Sequence, residues 1–162
     1  MKVIMNEGED NSMGEIIKIV IKSCSGFGPV EEAYTDKLKI SADGMKYEYM
    51  PYIRSDQHPM RKWSYCTNSP DFGKMWQEVC SLIPSILGQE EIMCCDAGEL
   101  LFAVRYEDGH KAEKKFTSID NEHVRACLQQ IRMMVPQTEK MPDALWLEED
   151  CEDEEGRWLI LL

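Results

Sequence analysis

From Glu15 to Lys22 the chain alternates: Ile17, Ile19 and Ile21 fall on one side, and Lys18 and Lys22 fall on the other with Val20. Period two built from β-branched residues predicts a strand. Ser23 to Pro29, with Gly26, Gly28 and Pro29, predicts a loop. Leu38 and Ile40 then alternate with Lys37 and Lys39. Asp43-Gly44 offers the positive-φ chemistry of a tight hairpin, and Tyr47 and Tyr49 alternate with Lys46 and Glu48 on the return. Lys62 to Cys66 reads as a further short strand with Trp63 and Tyr65 on a common face.

The pattern then changes period. Ser69 suits an N-cap, Pro70 the first helical position and Asp71 the positive end of the helix dipole. Phe72, Met75, Trp76, Val79, Cys80 and Ile83 follow at the offsets of one helical face, and Pro84 predicts the end of the helix. The second half repeats the plan. Ile92 to Cys95 and Leu100 to Tyr106 are apolar runs, Asp108-Gly109 turns the chain, and Lys111 to Thr117 returns. Asp120 or Asn121 caps a second helix with Val124, Cys127, Leu128, Ile131 and Val135 on one face, followed by Pro136. Phe72, Met75, Trp76, Val79, Ile83 and Pro84 recur as Val124, Cys127, Leu128, Ile131, Val135 and Pro136, each 52 residues later. This suggests ββα pseudo-repeats over 36–84 and 99–136, with about 13 extra residues in the first placed at Pro51 to Met60. Amphipathic helices all resemble one another, so coincidence competes with duplication.

Half-buried strands and amphipathic helices need each other to bury their apolar faces. The predicted fold is therefore α+β: one antiparallel sheet of about six to eight strands with both helices on one face. Residues 15–147 form its single domain, after a flexible acidic segment 1–14. Ala144 to Leu147 and Trp158 to Leu162 read as a hairpin or two edge strands of the same domain, joined by an acidic loop in 148–162.

Charge and cysteines narrow the function classes. The formal charge is −12, and Glu139 to Arg157 alone carries −7, leaving −5 for the rest. Acidity of this kind disfavours nucleic acid, anionic membranes and acidic substrates, and makes a basic protein partner the electrostatic alternative. Asn6 to Gly14 is acidic where an export signal would be basic, and no apolar run approaches the ~20 residues of a membrane span. The expected location is cytoplasmic, where the seven cysteines stay reduced and mostly buried.

No catalytic set, metal site or cofactor motif stands out. Gly26-Phe27-Gly28 lacks the third glycine of a dinucleotide loop and is followed by Pro29. Cys94-Cys95-Asp96 would point its two thiols to opposite sides of a strand. His123 and Cys127 share a helical face, yet the cysteine sits at a core position. The insertion Pro51 to Arg61 carries Tyr52, Arg54, Asp56 and His58, and long polar loops often hold function. With Tyr47, Tyr49, Trp63 and Tyr65, the residues Arg54 and His58 mark the most suitable ligand or partner surface. An aromatic ladder that merely braces the sheet explains the same tyrosines. The run containing Glu148, Glu149, Asp150, Asp153 and Glu154 lacks the periodicity and glycine of a calcium loop and reads as a charged segment presented to a partner. Together these features favour a non-enzymatic binding or regulatory module that docks a protein, inhibitor-like by composition only. The alternatives are a small enzyme or ligand-binding domain using the 51–63 region, and a subunit that self-associates through edge strands.

Overall fold

The computed structural model describes residues 14–25, 28–89, 98–116 and 122–145. Alternation resolves into six strands: β1 (Ile16–Cys24), β2 (Tyr34–Ser41), β3 (Gly44–Pro51), β4 (Arg61–Cys66), β5 (Leu100–Tyr106) and β6 (Lys111–Phe116). They make one sheet in the order β4-β3-β2-β1-β5-β6, antiparallel throughout. Helices α1 (Pro70–Leu87) and α2 (Glu122–Arg132) supply Phe72, Trp76, Val79, Ile83, Ile86, Val124, Cys127, Leu128 and Ile131 to the core. The sheet contributes one face to that core, including Ile19, Ile21, Leu38, Ile40, Tyr47, Phe102 and Val104. The expected α+β class and one-sided helix packing are what the chain adopts. No helix among the described residues is long and apolar enough to cross a membrane.

Local chemistry departs from expectation at four places. Ile17 does not share the face of Ile19 and Ile21: the register shifts between Ile16 and Lys18, and Ile17 is 45% exposed. Such a bulge re-aims one side chain without flipping the rest of the strand. Helix α1 runs through Pro84 to Leu87 rather than ending there. An interior proline costs about 3 kcal/mol, whereas burying Ile83 and Ile86 returns about 1.5–3 kcal/mol each. Pro84 itself lies on the exposed side. Gly44 has no positive φ. The hairpin turns at Ala42 and Asp43, and Gly44 opens β3, where a Cβ would lie 2.2 Å from the Tyr65 carbonyl oxygen. Gly109 does take the left-handed conformation, with φ 93°. There the Asp108 carboxylate accepts from His110 N–H (2.9 Å) and Nδ1 (2.8 Å), and these bonds hold its pKa below the ordinary value.

Asp143–Leu145 forms a 3-10 turn, not the strand expected from Ala144 onward. Its apolar residues are buried beneath β1 and β2, whose ladders are already filled on both sides. The turn is held instead by Asp36, 4% exposed: Ala144 N–H (2.9 Å) and the Tyr47 hydroxyl (2.7 Å) both donate to Oδ2, and Ser23 Oγ donates to Oδ1. Asp143 N–H completes the net by donating to the Tyr47 oxygen (3.2 Å). Burial pushes the Asp36 carboxyl above the usual range, outweighing the downward pull of its donors.

Strand order and direction place β1 opposite β2, β3 opposite β5 and β4 opposite β6 about an axis between β1 and β2. In this arrangement the Asp108-Gly109 turn corresponds to the 52–60 connection between β3 and β4, rather than to Asp43-Gly44.

Candidate functional site

The 52–60 connection and the aromatic strand meet at one cleft. Tyr49 on β3 bonds its hydroxyl to His58 Nε2, while His58 Nδ1 faces the Glu31 carbonyl at 3.2 Å. A carbonyl only accepts, so Nδ1 carries the proton and Nε2 accepts from Tyr49. Tyr34 stacks on Tyr49 at 4.9 Å between centroids, and the Arg61 guanidinium covers the same ring at 4.1 Å while pairing with Asp143 at 3.3 Å. Burial, then Asp143, raises the Tyr49 and Tyr34 hydroxyls above the ordinary phenol value. A cleft of about 700 Å³ opens here, lined by Glu31, Glu32, Tyr34, Tyr49, Ile53, Ser55, Gln57, His58 and Asp143. Both ring nitrogens of His58 are engaged, one by the sheet residue Tyr49 and one by the Glu31 carbonyl, so the cluster pins the connection to the sheet.

Of the residues singled out in the sequence, Tyr49 and His58 therefore come together. Tyr47 is buried and tied to Asp36, with its hydroxyl pKa raised by burial and then by that carboxylate. Trp63 tilts against Tyr47 (5.7 Å) and Tyr65 meets Phe72 edge-on (5.9 Å), so both lean into the core side. Arg54 is exposed and lines no part of this cleft. Cys127 is fully buried and its thiol is pushed up to about 12, first by burial, while His123 is exposed. The pair suggested by helical spacing thus straddles the boundary of the core. Among the described residues no three His, Cys, Asp or Glu side chains gather as a metal site. Cys94-Cys95-Asp96, Gly26-Phe27, the Asp120/Asn121 cap, the acidic run and Trp158 to Leu162 lie outside the described residues.

Among the described residues no helix covers the other face of the sheet. Its strand residues form rows across the ladder. One row is Lys62, Glu48, Lys37, Lys22, Leu101 and Lys115, and the next is Ser64, Lys46, Lys39, Val20, Ala103 and Glu113. With Lys18, Arg105 and Lys111, this face carries nine cations against Glu48, Glu113 and Glu99, the last 4.0 Å from Lys115 at the edge of the sheet, a net of +6 on a chain of −12. Four like-charged pairs sit directly opposite across strands: Lys22 with Lys37, Lys39 with Lys46, Lys18 with Arg105 and Arg105 with Lys111. Glu48 lies 3.9 Å from Lys37 and 3.7 Å from Lys62. Lys18, Lys22, Lys39, Lys46, Arg105 and Lys111 have no carboxylate within ion-pair distance among the described residues. A depression of about 590 Å³ on this face lies at the end of β1 and β2 and is lined by Lys22, Lys37 and Lys115, by Glu48 and Glu99, and by Leu101 and Met50.

The chain matches no family model, no curated protein and no solved structure.

Net charge hid this face because it averages over surfaces of opposite sign. A signal was nevertheless present: in β1, β2, β3 and β6 the polar member of the alternation is repeatedly lysine (18 and 22, 37 and 39, 46, 111 and 115). Only the register shows that these lysines confront one another.

Proposed function

We propose that this chain is a non-enzymatic binding module that docks an acidic protein segment across the exposed sheet face. The observation that carries the reading is the set of four like-charged cross-strand pairs. Directly opposed like charges destabilise a sheet, and a surface serving only solubility does better with alternating signs. An anionic occupant relieves the repulsion, so the face is complementary to something it binds. Val20, Ala103, Leu101 and Met50 lie among the cations, which suits carboxylates interspersed with apolar side chains. The described strand residues on this face carry no aromatic side chain, and Tyr52 at the edge of the depression is a single ring, whereas single-stranded nucleic acid is held by stacking successive bases on several. The preference for a basic partner inferred from overall acidity does not extend to this surface.

The test is fluorescence anisotropy of a labelled glutamate- and leucine-containing peptide at low ionic strength, against the parent and a Lys22→Glu, Lys37→Glu, Lys39→Glu variant. The expected result is saturable binding that weakens with added salt and falls at least about tenfold in the variant. Equal affinity in both proteins removes the face as the docking surface. Tighter binding of an oligothymidylate than of the peptide replaces the acidic-protein reading with a nucleic-acid one.

A further inference from the structure

We infer that the acidic segment docked on this face carries a phosphoserine or phosphothreonine, whose phosphate seats between β1, β5 and β6 on Lys18, Lys22, Arg105 and Lys111; the inference rests on the docking function proposed above. These four cations line a depression of about 250 Å³ in which Glu113 is the one carboxylate, a net of +3. The depression of about 590 Å³ is different. There Lys22, Lys37 and Lys115 meet Glu48 and Glu99, which stand 3.9 Å from Lys37 and 4.0 Å from Lys115. Of the two, the smaller holds the uncompensated charge. Its centre is Arg105, directly opposite Lys18 on one side and Lys111 on the other. Among the described residues none of these three has a carboxylate within ion-pair distance.

Spacing favours one multivalent anion over a row of carboxylates. Lys18, Arg105 and Lys111 follow one another on adjacent strands about 4.8 Å apart, whereas an extended segment presents side chains to one side only every ~6.8 Å. Its carboxylates therefore do not meet these cations one for one. A phosphomonoester brings a charge of about −1.5 to −2 and three acceptor oxygens to a single point. The Arg105 guanidinium matches two of those oxygens at once, and the lysines act as point charges around the third. The floor suits such a group. Val20 and Ala103, opposite each other, are short, so the longer cationic side chains around them enclose open space. The bulge at Ile17 builds the triad. Regular pairing from Ile16 with Tyr106 would set Ile17 against Arg105, and the extra residue sets Lys18 there instead. A strand irregularity thus places like charges together, which costs stability unless an anion joins them. Phosphorylation of the partner then becomes the event that strengthens docking.

The test takes the glutamate- and leucine-containing peptide with one central position filled by phosphoserine or by glutamate, and measures anisotropy against the full chain. The phosphoserine form should bind at least about tenfold more tightly than the glutamate form. Arg105→Lys keeps the charge but loses the two-pronged contact, and should bring that ratio down to about threefold or less. A Lys18→Gln, Lys111→Gln variant should abolish the preference. Lys46→Gln, on β3 away from this depression, should weaken both peptides and leave the ratio intact. Equal binding of the two forms by the parent overturns the inference while the docking function stands. A preference untouched by Arg105→Lys and by the double variant places the phosphate elsewhere and overturns this site. Tighter binding to vesicles containing a phosphorylated inositol lipid than to the phosphopeptide overturns a protein as the source of the phosphate. Binding of neither peptide by the parent removes the docking function itself.

Discussion

Replacing Asp36 by alanine is expected to lower folding stability by about 3 kcal/mol, read as a shift of the urea midpoint. The carboxylate is the shared acceptor for Ser23, Tyr47 and the Ala144 N–H, and it fastens the 143–145 turn beneath β1 and β2. Alanine leaves these donors buried without an acceptor. The loss should also depend on pH in a stated direction. Burial raises the folded pKa of Asp36 above its ordinary 3.8, so the native state binds a proton that the unfolded chain has already released. What Asp36 adds to stability is therefore largest below about pH 4 and declines as pH rises through the folded pKa. The difference between wild type and Asp36→Ala should be larger at pH 4 than at pH 8. A difference that grows with pH would mean the donors outweigh burial.

Gly44→Ala should cost about 2–3 kcal/mol although Gly44 has an ordinary backbone conformation. Its new Cβ would stand 2.2 Å from the Tyr65 carbonyl oxygen and 3.2 Å from Cys66 Cα, so β4 must move away from β3. β4 is an edge strand, but Trp63 and Tyr65 on it pack against the core, which resists the shift. Urea denaturation should show the loss, with amide hydrogen exchange faster along β4 than along β5. Gly109→Ala is the contrast: φ is +93° and nothing lies within 4 Å, so its cost is conformational, about 1–2 kcal/mol. A smaller loss at Gly44 than at Gly109 would contradict the close β3–β4 approach.

Side-chain period made most of the fold legible. Ile19, Ile21, Leu38, Ile40, Phe102 and Val104 alternate as the inner face requires, and the helical faces from Phe72 and Val124 are as regular. Period does not reveal pairing, however. The confrontation of Lys39 with Lys46 exists only once β2 and β3 are in register, and that of Lys18 with Arg105 joins strands far apart in sequence. Asp36 was equally hidden: one acid beside a strand looks solvated until Ala144, more than a hundred residues later, is found donating to it. His58 and Tyr49, singled out as part of a ligand or partner surface, line one cleft, but their mutual hydrogen bond and the guanidinium over Tyr49 involve residues distant in sequence and were not legible. The bulge at Ile17 and the helix running through Pro84 escaped because packing across the sheet and along α1 overrode local preference.

The exposed face is held to trade stability for binding, and Lys39→Glu tests that in one protein. Placing a carboxylate opposite Lys46 should raise stability by about 0.5 kcal/mol, with an unchanged dependence on urea, while weakening the acidic peptide several-fold. A variant that gains stability and loses affinity agrees with the account; one that loses stability, or binds the peptide as tightly as the parent, contradicts it.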